Sequence, residues 1–79
     1  MKQLPDFKSS EERDRFFLEN SDYFTVIRKT GVGTYERSEL KNLEYAQKVA
    51  EMKRHLFGGN YLIYAVIGSQ SALVQTVGG

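Results

Sequence analysis

The 79-residue sequence has no cysteine, a single histidine, and no charged side chain from Tyr61 to Gly79. Without cysteine there are no disulfides, and one histidine cannot complete a tetrahedral zinc shell by itself. The longest apolar stretch, Tyr61 to Ile67, falls far short of the ~20 residues that a membrane-spanning helix needs. The N-terminal run MKQLPDFKSSEERDR breaks into charge before an apolar core could make it a signal peptide. The expected setting is therefore cytoplasmic, with no membrane partner and no cofactor.

A chain of 79 residues has room for a single α+β domain over residues 1–79. At this size only roughly 60–65% of the unfolded surface is buried, so stability is modest. With disulfides and metals excluded, self-association is the remaining way to gain buried area.

The formal net charge of +1 hides a gradient. Met1 to Asp22 holds six acids and four bases, and Tyr23 to Asn60 holds seven bases and four acids. The chain thus passes from acidic through basic to neutral.

Ser9-Ser10-Glu11-Glu12 has the pattern of a capping box and opens a short helix with Phe16 and Phe17 on its apolar side, ended by Asn20-Ser21-Asp22. Tyr23 to Thr30 is rich in aromatic and β-branched residues and reads as a strand. Gly31-Val32-Gly33 turns the chain, and Thr34 to Leu40 returns as a charged strand suited to a sheet edge. Asn42 caps a second helix from Leu43 to about Phe57, with Leu43, Ala46, Val49, Ala50 and Phe57 as its apolar stripe. Lys53, Arg54 and His55 complement its C-terminal dipole, and Gly58-Gly59 ends it. Tyr61 to Ile67 and Ser71 to Val77 form a last hairpin around Gly68-Ser69-Gln70. The expected fold is α-β-β-α-β-β, a four-stranded, mainly antiparallel sheet with one long helix packed on one face.

Tyr61 to Ile67 is apolar at both parities, a pattern that calls for cover on both sides. The long helix covers one face and the short helix is expected to reach part of the other. The strand after it has no Lys, Glu or Pro to discourage pairing with another chain. Ala72, Leu73, Val74 and Val77 are accordingly the expected self-association residues, unless the hairpin lies in the middle of the sheet.

Catalytic chemistry finds little support. His55 beside Lys53 and Arg54 reads as a surface residue at a helix end, and no oriented partner is forced near it. Gly31-Val32-Gly33-Thr34 lacks the rest of a dinucleotide or phosphate-loop motif. Acids alternate with bases, so no isolated carboxylate pair stands out. The expectation is a protein that is not an enzyme.

Arg28, Lys29, Tyr35 and Arg37 form a basic hairpin with an aromatic, and Lys48, Lys53 and Arg54 widen it into the expected partner-binding set. Glu36, Glu39, Glu44 and Glu51 interrupt its field. The partner class is another protein or a ribonucleoprotein complex, with a homodimer and nucleic acid as the further options.

Two resemblances bear on function. The terminal Gly78-Gly79 and the β-β-α-β-β order resemble ubiquitin-like proteins and small sulfur carriers, which implies an activated C-terminal carboxylate. The charged N-terminal helix departs from that pattern. The size, element order and lack of cofactor motifs are similar to small phage-encoded anti-CRISPR inhibitors, implying a protein that occupies the surface of a nucleic-acid-processing complex. No motif matches, so no residue role carries over.

Overall fold

The computed structural model describes residues 6–78. Helix α1 spans Ser10–Asn20 and begins where Ser9 Oγ accepts from Glu12 N at 3.2 Å. The Glu12 carboxylate turns back to accept from Lys8 N at 3.4 Å, one residue before the position a capping box would use. Strands β1, Tyr23–Gly31, and β2, Thr34–Leu40, are joined through Val32-Gly33, where the positive φ of Gly33 (75°) suits a residue without Cβ. Helix α2, Leu43–Phe57, starts on Asn42, whose Oδ1 accepts from Tyr45 N at 2.9 Å. It ends at Gly58, whose N–H donates to Arg54 O at 2.7 Å. Strands β3, Tyr61–Ile67, and β4, Gln70–Val77, form the second hairpin.

The four strands lie in the order β2-β1-β3-β4, and every neighbouring pair is antiparallel. The expected α+β fold and element order are what the molecule has. β2 and β4 are therefore the two edges, and β3, the most apolar strand, sits inside beside β1.

Alternate residues of a strand point to opposite faces. Phe24 and Val26 of β1 and Tyr61, Ile63, Ala65 and Ile67 of β3 share one face and are buried there with Ala46 and Ala50 of α2. The two small alanines let the helix backbone approach the sheet closely. Burying Ile63 in full stabilises the fold by roughly 1.5–3 kcal/mol. β4 contributes Ala72 and Val77, and Val74 packs against the same cluster from a register shift opposite Ile63 and Tyr64. The shift also turns Gln75 toward α2, where its Oε1 accepts from Gln47 Nε2 at 2.6 Å.

Three expectations are corrected. α1 does not cover the second face, because Phe17 is buried in the same cluster as Ala46 and Ala50. β3 accordingly has a helix over one face only; on the other, Val66 is buried by its sheet neighbours while Leu62 and Tyr64 remain half-exposed. Phe57 is not part of the core stripe; it is 64% exposed at the end of α2.

Candidate functional site

With both helices on one side, the opposite face of the sheet is left without a layer, and the strand registers place its side chains. Tyr23 stands opposite Val66, and Thr25 lies between Glu39 and Tyr64. Ile27 lies between Arg37 and Leu62, and Lys29 faces Tyr35. Leu73 of β4 continues the row of Tyr64. Thr25 is only 2% exposed although no helix covers it, because the larger neighbours on its own sheet shelter it. Tyr35, by contrast, is 62% exposed and Leu73 41%.

Two shallow grooves cross this face and share Ile27, Tyr35 and Tyr64. One, of about 330 Å³, runs from the Gly68–Ser71 turn past Tyr23 to Arg37. The other, of about 810 Å³, continues past Leu62 to Phe57 and the Gly58-Gly59-Asn60 turn. A third, of about 350 Å³, adjoins that turn and is lined by Arg54 and His55. The basic residues lining the three are Arg28, Lys29, Arg37, Arg54 and His55, and no Asp or Glu is among the lining. Two carboxylates lie close by on β2. Glu39 pairs with Arg37 at 3.2 Å and Glu36 with Arg28 at 3.6 Å.

Arg37 also donates from Nη2 to Tyr23 OH at 3.3 Å, reaching diagonally over Thr25 and holding one ring against the sheet. Arg28 has a more structural setting. Its guanidinium lies 5.6 Å from the Phe57 ring centroid and 5.9 Å from that of Tyr61, and Nη1 donates to Tyr61 OH at 3.4 Å. Its Nε is buried with no partner among the described residues. Arg28 thus joins β1 to the end of α2 and borders the larger groove.

The seven expected partner-binding residues do not form one surface. Lys29, Tyr35 and Arg37 lie together on the uncovered face, with Arg28 at its border. Arg54 reaches that border from the end of α2. Lys53 lies on the helix side, donating from Nζ to Ser38 Oγ at 2.9 Å. Lys48 is exposed on α2, 3.4 Å from Glu44.

Of the expected self-association residues, Ala72 and Val77 are buried in the core, Val74 packs against it, and Leu73 alone is exposed, on the uncovered face. Gly78 follows β4 directly, and a Cβ there would run into the Asn60 side chain. Gly79 lies outside the described residues.

Tyr23, Ile27, Leu62 and Tyr64 belong to the site and were not singled out from sequence. Their signal was parity: Tyr23, Thr25, Ile27 and Lys29 alternate with Phe24 and Val26, so one face of β1 differs in kind from the other. Tyr45, Met52 and Leu56 form a second exposed apolar strip, on α2, flanked by charges of both signs. Among the described residues no three His, Cys, Asp or Glu side chains gather as metal ligands would, and no helix is long and apolar enough to cross a membrane.

No family model, curated protein or solved structure matches this chain.

Proposed function

We propose that this is a non-enzymatic binding protein whose contact surface is the uncovered face of the sheet. The observation that carries the reading is the face itself. Three tyrosines, Ile27, Leu62 and Leu73 stand on a four-stranded sheet with no layer over them. An apolar and aromatic surface rimmed by polar groups marks an interaction site. The sheet beneath is held by a packed core, so the side chains are displayed in a fixed register at little entropic cost on binding.

The charge of the grooves gives the partner its sign. Apart from the tyrosines, the ionisable side chains in the groove lining are basic, and the nearby carboxylates Glu36 and Glu39 are each paired with an arginine, so the surface suits an anionic partner such as a nucleic-acid-processing complex. Occupying such a complex is the inhibitory mode that its likeness to phage-encoded inhibitors implies. The test is parallel affinity capture from cells that naturally carry the protein, using wild type, a Tyr35→Ala/Arg37→Ala variant and a Met52→Ala control on α2. Protein and nucleic acid are both read in the eluate. The same captured material should appear with wild type and the control and be lost from the double variant. Equal capture by all three would overturn the reading.

A second copy is a separate reading for the β4 edge. β4 is an edge strand without Lys, Glu or Pro, so its outer backbone groups can pair with another chain. Light scattering of the purified protein decides it: a dimer mass supports edge pairing, and a monomer at high concentration disposes of it.

A further inference from the structure

Aromatic and cationic side chains are interspersed along the three adjoining grooves, with one carboxylate, Glu39, on the same face and paired to Arg37 at 3.2 Å. From the Gly68–Ser71 turn the path meets Tyr23 with Arg37, then Tyr64, then Tyr35 with Lys29, then Phe57 with Arg54 beyond the glycine turn. A polymer that alternates planar rings with fixed negative charges has the complementary order. Single-stranded nucleic acid is that polymer, and proteins that take it without reading sequence combine a basic groove with stacking side chains.

We propose that the uncovered face binds single-stranded nucleic acid, with bases stacking on Tyr35 and Tyr64 and phosphates meeting Lys29, Arg37 and Arg54. This rests on the preceding reading that the face is the contact surface, and adds its ligand class. The ring of Tyr35 is the best placed to stack, being the most exposed of the three tyrosines. Among the described residues Lys29 and Arg54 make no ion pair, so their charge is available to a phosphate. A duplex would present its phosphates to the same cations but keep its bases stacked inside, leaving the tyrosines unused. An acidic peptide would satisfy the cations and likewise leave the ring faces without flat partners. Surfaces of this kind take roughly 4–16 nucleotides.

The test is fluorescence anisotropy with a labelled oligothymidylate about twelve nucleotides long, against a duplex of equal length, in a salt series from roughly 50 to 200 mM. Expected are binding of the single strand in preference to the duplex, and a log–log salt slope of about −2 to −3, as three or four phosphate contacts give on single strands. Tyr35→Ala should weaken binding by about 5- to 150-fold, the range measured for loss of one stacking side chain, and Tyr35→Phe should restore it. Circular dichroism and melting verify that these exposed-site variants fold.

No anisotropy change at low salt, equal or tighter binding of the duplex, or an unchanged affinity of Tyr35→Ala would each overturn the proposal. If the oligonucleotide fails while capture of a protein still depends on Tyr35 and Arg37, the ligand class falls and the contact surface stands.

Discussion

The two faces of one sheet are built from the same four strands and differ in nearly every other respect. On the covered face, the core residues are aliphatic, small or, at Phe24 and Tyr61, aromatic, they are almost wholly buried, and two helices lie over them. On the uncovered face the alternate positions carry tyrosine, threonine, arginine, lysine and one glutamate beside a few aliphatics, and their burial comes from neighbours on the same sheet. The first arrangement is what a core requires. The second keeps apolar area in water and lines its grooves with cations, which contributes little to folding and suits recognition.

The contrast can be broken or sharpened by substitution. The largest loss is expected from Ile63→Ala, which leaves a cavity beneath α2 and should reduce unfolding free energy by about 3–5 kcal/mol in urea titration. Next, Val26→Ala and Val66→Ala delete the same two methyl groups from opposite faces. Val26 lies under the helices and should lose about 2 kcal/mol, whereas Val66 has no layer above it to leave a void and should lose only about 1 kcal/mol. Equal losses would mean that something covers the second face in solution. The smallest effect is expected from Tyr35→Ala, a change within about 0.5 kcal/mol, since a surface ring this exposed has little packing to lose. A stable Tyr35→Ala variant that no longer binds would separate the two faces most clearly.

Most of the fold was legible in the amino-acid sequence. Ser9 and Asn42 signalled both helix starts, and the periodicity of Leu43, Ala46 and Ala50 marked the side of α2 that is buried. The charge of β2 marked it as an edge, which it is. What failed was the inference from β3. Two apolar parities were read as two covers, but nothing in Leu62, Tyr64 and Val66 distinguishes a buried face from one left open for a partner, because both reward apolar side chains. The side chosen by α1 depends on where Phe17 finds an opening in the core, a tertiary fact with no local signature.

The candidate site was half legible for a related reason. Lys29, Tyr35 and Arg37 alternate correctly across a hairpin and do share a face. Arg28 is adjacent in sequence to Lys29 but lies on the other parity, and it is engaged with Phe57 and Tyr61. Charge counted along the chain cannot separate neighbours that a strand sends to opposite sides.

The central claim, that the uncovered face is the working surface, is tested most directly by mapping amide chemical shifts of the labelled protein during titration with oligothymidylate. Perturbations should concentrate at Tyr23, Ile27, Lys29, Tyr35, Arg37 and Tyr64, with the outer side of α2 unmoved. Shifts confined to Tyr45, Lys48 and Met52 on that helix would contradict it.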